Sequence, residues 1–172
     1  ETDGQSFVLE LAFPAEPVES LGCPRRAVVR LFLPDAAPEV HFDMQWFEKQ
    51  ANRLPEALWF SFAPRIRQSS GWSLDILGQP ISPLDVVRDG SRHLHLIDRG
   101  VRYRDERSTL EIDSLDAALV APGRRSLLDF NNRLPALSGG MHFNLYNNMW
   151  GTNHPVWYEE DARFRFVIKL GK

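Results

Sequence analysis

The sequence predicts an all-β protein, an antiparallel β-sandwich with about ten to twelve strands. Hydrophobic and polar residues alternate in short runs along the 172-residue chain, which is the period-two pattern of strands with one buried face. Proline or glycine interrupts these runs at intervals of roughly 8 to 15 residues, which leaves no room for helical crossovers. Antiparallel neighbours are therefore favoured over a parallel sheet.

The clearest strands lie in the first third of the chain and at its C-terminal end. Residues 6–13 place Phe7, Leu9 and Leu11 on one face, and this alternation predicts a half-buried strand. The same kind of alternation predicts strands at 26–33, 41–47, 57–62 and 163–170.

Two hairpins are predicted in the middle of the chain. The run 72–77 is followed by Gly78, which suits a turn into a second short strand. The runs 93–97 and 101–103 flank a segment that ends in Gly100, which suits a tight hairpin turn.

Other segments give weaker signals. Pro83 places residues 84–87 near a sheet edge or the start of a strand, because proline cannot donate to a central ladder. The only helical candidates, 46–51 and 115–119, are too short to be stable alone. Further short strands are predicted at 109–112, 117–120, 126–130 and 141–146.

Composition indicates one globular domain spanning residues 1–172. The chain is 43% hydrophobic and 25% charged, and at 19.7 kDa it can bury one substantial core. Its net charge of −3 gives no general attraction for nucleic acid or an anionic membrane, and no apolar run approaches the ~20 residues that span a bilayer. The single cysteine, Cys23, leaves the compartment open. Because the chain starts at Glu1 without methionine, we expect a fragment or processed part of a larger protein.

The segment 141–158 is the strongest candidate for a binding site. It contains four Asn, two Trp and two Tyr, and this mixture of amides and flat aromatic faces suits a hydroxyl-rich ligand such as carbohydrate. The alternative is a buried turn between strands, in which Asn and Gly take special backbone conformations and Trp fills the core. Arg53, close to Glu56, could bind the same ligand, pair with Glu56 or cap its loop.

Few residues suit catalysis or metal binding. His93 and His95 are spaced to share a strand face, but no third ligand lies at a recognised zinc spacing. The candidates for the carboxylate pair of a glycosidase are Asp113 and Asp116, Glu159 and Glu160, and Asp161, yet each is also a normal turn or solvated residue. We therefore predict no catalytic residue, no metal site and no cofactor in this chain.

Three runs carry a resemblance to a known family. The runs 52–62, 114–123 and 143–153 resemble the C-terminal part of large bacterial and fungal proteins related to glycoside hydrolase family 38, the α-mannosidases. The likeness spans roughly residues 40 to 170, and the run 143–153 is its most specific part. It implies a large sandwich similar to the galactose mutarotase fold. In that family the catalytic carboxylates and zinc ligands belong to an N-terminal domain, and no segment of this chain matches its motifs.

The resemblance therefore implies a noncatalytic module that packs on a catalytic domain of the same polypeptide or of a companion chain. In related enzymes, loops of the C-terminal sandwich approach the sugar. His154 stands where the family has an aromatic residue before proline, so Trp157 would have to provide the stacking surface there. The predicted carbohydrate-binding residues are Asn147, Asn148, Trp150, Thr152, Asn153, Trp157 and Arg53.

Two other functions remain open at this stage. One is a structural subunit without a ligand, in which 141–158 is a buried plug. The other is a stand-alone mutarotase-like or epimerase-like enzyme, which needs a general acid and a general base on either side of the anomeric carbon. His93, His95 or His142 could form such a pair with Glu56 or Asp116.

Overall fold

The computed structural model describes residues 3–129, 131–149 and 157–172. Twelve strands and one short α-helix, α1 (Ala15–Leu21), lie within these residues. The strands are β1 (Gly4–Ala12), β2 (Arg26–Pro34), β3 (Glu39–Phe47), β4 (Ala57–Phe62), β5 (Trp72–Ile76), β6 (Gln79–Ile81), β7 (His95–Leu96), β8 (Gly100–Arg104), β9 (Thr109–Ser114), β10 (Leu119–Pro122), β11 (Met141–Asn147) and β12 (Ala162–Gly171).

The strands form two antiparallel sheets of unequal size. The larger sheet has eight strands in the order β1-β2-β3-β12-β9-β8-β5-β6, and the smaller has four in the order β4-β11-β10-β7. Every strand pair is antiparallel. The predicted all-β antiparallel sandwich is confirmed. No helix among the described residues is long and apolar enough to cross a membrane.

Aromatic side chains fill the space between the sheets. Phe166 of β12 is fully buried and lies 5.2 Å from Phe60 and 5.1 Å from Phe143, measured between ring centroids. Phe42 of β3 lies 5.8 Å from Phe60 and 5.6 Å from Phe62 in the same way. The smaller sheet therefore covers the middle of the larger one, with β4 above β3 and β12.

The larger sheet extends beyond this cover at its β1 end. The inner-face row Phe7–Leu31–Phe42–Phe166 crosses four neighbouring strands in register. Exposure along it is 0% at Phe166, intermediate at Phe42 and Leu31, and 52% at Phe7. Apolar side chains that would normally lie inside a sandwich are thus open to solvent.

We call this region the uncovered face. It consists of the inner-face residues Phe7, Leu9 and Leu11 of β1, which are 43% to 54% exposed, and the half-buried Val29 and Leu31 of β2. The prediction that residues 6–13 form a strand is confirmed, but the expected half-burial is wrong. Alternation shows which side chains share a face, whereas burial requires a second layer, which the described residues do not supply at this end.

The outer face of the larger sheet is charged instead. Arg163 donates to Asp43, and Arg165 donates to Asp116 through both Nε and Nη2 at 3.0 and 2.9 Å. The hydrogen bond from Arg163 lowers the pKa of Asp43. These ion pairs are typical of a solvated surface, so the two sides of the same sheet differ in character.

The predicted hairpin across Gly100 is wrong. The flanking strands β7 and β8 belong to different sheets, so the chain crosses over at this point. A side chain at Gly100 would place its Cβ 2.0 Å from the carbonyl oxygen of Ile112 on β9. This glycine therefore permits close strand contact rather than a tight turn. The hairpin between β5 and β6 is confirmed.

Other differences concern short segments. Residues 84–87 and 126–129 form no strand, and the remaining residue of the predicted strand 126–130 lies outside the described residues. The helical candidates 46–51 and 115–119 are not helical. The helix α1 was not predicted, because a segment with Pro14 before it and Pro17 inside it is typical of a loop. The helix ends at Gly22, which has a φ of 66° and the left-handed conformation.

Candidate functional site

A polar cluster lies beside the loop that joins β3 to β4, and Lys49 is at its centre. The Lys49 side chain has no exposed surface. Its Nζ donates to Glu56 Oε1 at 2.8 Å, to the Gln50 carbonyl at 3.1 Å and to the Gly22 carbonyl at 3.2 Å. All three ammonium protons therefore have an acceptor, which is what a buried lysine requires. We call Lys49, Glu56, Tyr146 and Asn148 the Lys49 cluster.

Asn148 fixes the same loop from the other side. Its Oδ1 accepts from the backbone amide of Glu56 at 2.7 Å, and its Nδ2 donates to the carbonyls of Asn52 at 3.2 Å and Leu54 at 2.8 Å. Its backbone amide also donates to the Glu56 carbonyl at 3.2 Å. Asn148 thus provides the backbone of this loop with the hydrogen bonds that a neighbouring strand would provide in a sheet.

The position of Asn148 depends on an irregularity in β11. A β-bulge interrupts the pairing with β4 between Asn144 and Tyr146. The Asn144 amide group bridges it by donating to the carbonyls of Leu58 at 3.2 Å and Tyr146 at 3.1 Å, and it accepts from Asn147 Nδ2 at 2.8 Å. Bulges change the direction of the residues that follow, and here those residues complete the Lys49 cluster.

Tyr146 is the aromatic wall of the cluster. Lys49 Nζ lies 5.1 Å from the centroid of its ring, within cation–π range. The Tyr146 hydroxyl is buried and has no partner with hydrogen-bond geometry within the described ranges, although the Glu56 carboxylate lies nearby. Burial, together with the negative charge of Glu56, raises the pKa of Tyr146 to about 12.

An aromatic edge continues from the cluster to the protein surface. Tyr158 lies 5.6 Å from Tyr146 between ring centroids, and its neighbour Trp157 is 43% exposed. The exposed Arg53 lies over the Trp157 ring, with Cζ 4.6 Å from the centroid. The loop of Arg53 is fixed by Asn148, so the cluster sets the position of this cation–π pair.

The structure brings some of the predicted binding residues together. Arg53, Asn148 and Trp157 lie around one loop, and Asn147 is the last residue of β11. The amides of Asn147 and Asn148 already donate to protein acceptors. The other three predicted residues lie outside the described residues: Trp150, Thr152 and Asn153.

Sequence reasoning missed Lys49 and Tyr146. A lysine in a break between two strands normally predicts a solvated loop, because its burial depends on partners that only the fold brings close. The one available signal was Glu56, an acidic residue in the same break. Gly22 was also missed: a Cβ there would lie 2.7 Å from the Asn52 Cβ, so the close contact of α1 with this loop needs glycine.

The residues considered for acid–base catalysis have separate partners. His142 Nδ1 lies 2.8 Å from Ser61 Oγ, and burial lowers the pKa of His142. His93 Nε2 lies 3.0 Å from Asn131 Oδ1, while Glu56 and Asp116 pair with a lysine and an arginine. Among the described residues, none of the histidines considered hydrogen-bonds to either carboxylate. Three or more potential metal ligands do not come together in the described ranges.

Solved structures are similar to this chain. An α-mannosidase from Enterococcus faecalis aligns with 85% of this chain and 16% of its own, at 8% identity and a TM-score of 0.52. A glycosyl hydrolase family 38 protein from the same organism aligns with 98% of this chain and 20% of its own, at 12% identity and a TM-score of 0.57. A candidate mutarotase from Salmonella typhimurium gives 10% identity, a TM-score of 0.46, and coverage of 100% and 63%.

The resemblance to proteins of glycoside hydrolase family 38 is confirmed at the level of the fold. This chain spans 16% and 20% of the length of the two Enterococcus proteins, so in each of them the shared fold is one part of a much longer chain. No protein-family model and no curated protein matches the sequence.

Proposed function

We propose that this chain is a noncatalytic β-sandwich module of a glycoside hydrolase family 38-like protein, and that it packs on a catalytic domain of the same polypeptide or of a companion chain. The observation that carries the proposal is the uncovered face. Contiguous apolar patches larger than a few hundred Å² are rare on a free-standing protein and mark sites of interaction, and the uncovered face supplies a core of such a patch. In the two Enterococcus proteins the similar region is part of a much longer chain, and we therefore propose a hydrolase domain as the partner.

The size of the uncovered face suits one part of a larger docking interface. Phe7, Leu9 and Leu11 are each about half exposed. At roughly 90 Å² of apolar surface per side chain, their burial removes about 270 Å² from water, which is a gross gain of about 7 kcal/mol at ~25 cal/mol per Å². Association entropy offsets much of this gain, so these three side chains suit one part of a larger interface.

We further propose that the aromatic edge contacts carbohydrate. Trp157 offers an exposed indole, and Arg53 offers donors fixed beside it. Indole faces stack on the C–H faces of sugars, while guanidinium groups donate to hydroxyls. Because the amides of Asn147 and Asn148 are engaged within the protein, we expect them to position the loop; Trp150, Thr152 and Asn153 remain proposed sugar contacts from the sequence.

A titration with methyl α-mannoside tests the carbohydrate proposal. At about 50 mM ligand, the indole N–H resonance of Trp157 should shift, consistent with the millimolar affinity of a small exposed site. Trp72, which is 1% exposed, is the internal control and should not respond. Arg53→Ala should weaken the response at Trp157. A Trp157 resonance that stays unchanged at this concentration rules out binding at the aromatic edge.

The structural-subunit alternative is favoured by one observation, the engagement of Asn148 with three neighbouring backbone groups of the loop. It shares the docking surface with the first proposal but predicts no sugar response. The noncatalytic character has its own test. Hydrolysis of a nitrophenyl α-mannoside, or anomer interconversion followed by polarimetry, should proceed at the rate of buffer alone. A faster rate would favour the stand-alone enzyme.

A further inference from the structure

The β4 edge of the smaller sheet lies next to the uncovered face. In the described part of the chain, β11 is the only strand hydrogen-bonded to β4, so the other edge of β4 has unpaired backbone groups. Phe60 and Phe62 of β4 contact Phe42 of β3. A strand added to this edge would therefore lie past β3, above β2 and β1.

The geometry points to completion of the smaller sheet by a partner: a β-hairpin of the proposed catalytic domain pairs with the free edge of β4 and buries the uncovered face. This inference rests on the proposed function and adds the mode of docking. Strand addition supplies backbone hydrogen bonds along an edge, and alternate side chains of the added strand fill the apolar surface below.

The dimensions limit what can bind. Neighbouring strands lie about 4.8 Å apart and packed sheets about 10 Å apart. The uncovered face is two strands wide, β1 and β2, so it accepts a hairpin of two strands. Pairing at the free edge of β1 would enlarge the larger sheet and leave Phe7, Leu9 and Leu11 uncovered. Only addition at β4 both satisfies an edge and covers the apolar side chains.

Charge indicates the chemistry of the partner strand. Residues 1–22 contain five acidic residues and neither lysine nor arginine. Asp3 precedes β1, while Glu16 and Glu19 lie in the helix that follows it. A partner strand with apolar residues at alternate positions would cover the uncovered face, and basic residues between them would complement these acidic residues. A second copy of the chain would bring the acidic segments together, so like charges disfavour it.

A synthetic hairpin provides the probe. The chain is titrated with a peptide in which two strands that alternate lysine and valine are joined by an Asn-Gly turn, and amide hydrogen exchange is followed by NMR. Alternate amides of β4 should exchange about tenfold more slowly at about 1 mM peptide, which corresponds to a Kd of about 0.1 mM. Resonances of Phe7, Leu9 and Leu11 should shift in the same titration.

Matched controls isolate the uncovered face. Leu9→Lys should reduce the protection of β4 at least fivefold, whereas Val8→Lys, on the outer face of the same strand and 59% exposed, should leave it unchanged. A peptide of the same composition with its valines in one block cannot present an apolar face and should give no protection. It tests the inference without relying on any variant.

Three results would overturn the inference. The first is that β4 amides gain no protection at about 1 mM peptide. The second is that β1 amides are protected in place of β4 amides. The third is that Phe7 becomes buried as the protein concentration rises without peptide, which would identify a second copy as the occupant. The proposed function fails differently, through mannoside hydrolysis or mutarotation by the chain alone. Docking without protection of β4 would reject strand addition and leave the module proposal standing.

Discussion

Replacing Lys49 by methionine tests whether the Lys49 cluster organises the loop between β3 and β4. The substitution keeps the length of the side chain but removes the charge and three hydrogen bonds. It leaves the carbonyls of Gly22 and Gln50 without their donor, at about 1 kcal/mol each. It also leaves the Glu56 carboxylate, whose side chain is only 16% exposed, without its counter-ion. Together these changes should lower the free energy of unfolding by about 3 to 5 kcal/mol.

Urea unfolding followed by circular dichroism measures this loss. With a slope of about 2 kcal/mol per molar urea, the midpoint should fall by about 1.5 to 2.5 M. Lys169→Met is the matched control, since Lys169 pairs with Asp113 at 2.5 Å while 44% of its side chain is exposed. The control should cost less than about 1 kcal/mol.

A double-mutant cycle assigns the effect to the pair. The double variant Lys49→Met/Glu56→Gln should lose at least about 1 kcal/mol less free energy of unfolding than the sum of the two single losses. The reason is that Glu56→Gln removes the charge that Lys49→Met leaves unpaired. Two results would refute the reasoning: a loss for Lys49→Met no larger than that for Lys169→Met, or strict additivity with Glu56→Gln.

Two further predictions concern backbone packing and alkaline pH. Gly100→Ala should lower the free energy of unfolding by about 3 kcal/mol or more, because its Cβ would meet the carbonyl oxygen of Ile112 at 2.0 Å. Gly78→Ala has open space around its Cβ but a φ of 75°, so it should lower the free energy of unfolding by about 1 to 2 kcal/mol. Equal losses for the two variants in urea unfolding would contradict this contrast. The pKa of Tyr146 is raised to about 12 in the folded state, so its contribution to stability is complete below its unfolded pKa of about 10 and is lost as the pH rises through about 12. The tyrosinate absorbance of the wild type minus that of Tyr146→Phe should therefore titrate near pH 12, and a midpoint near pH 10 would contradict the burial of this hydroxyl.

Local pattern predicts strands well and their environment poorly. The alternation in β3 and β12 predicts both the strands and their inner faces, because those faces meet the smaller sheet. The same alternation in β1 predicts the strand but not its exposure to solvent. The sequence of a strand shows which residues share a face, but it does not show how far the opposite sheet extends. The resemblance to the mannosidase-related proteins is confirmed at the level of the fold, and the assembly that would cover this face is a proposal.

The candidate site was predictable only in part. Asn148, Arg53 and Trp157 stand out by residue type, and the fold brings them to one loop. Lys49 and Tyr146 do not stand out, because their roles depend on contacts between distant segments. Gly100 is the opposite case: it was noticed for a turn, but its real function is to let β8 pack closely on β9. Conformational signals of glycine are local, whereas its packing role depends on the partner strand.

Calorimetry of the alternating lysine–valine peptide binding to this chain tests the central claim most directly. Burial of the uncovered face predicts a negative heat-capacity change when the binding enthalpy is measured at several temperatures. Leu9→Lys should abolish the heat of binding, and Val8→Lys should preserve it. Equal binding by the wild type and Leu9→Lys, or a heat-capacity change of zero, would contradict the claim that this face is the docking surface of the module.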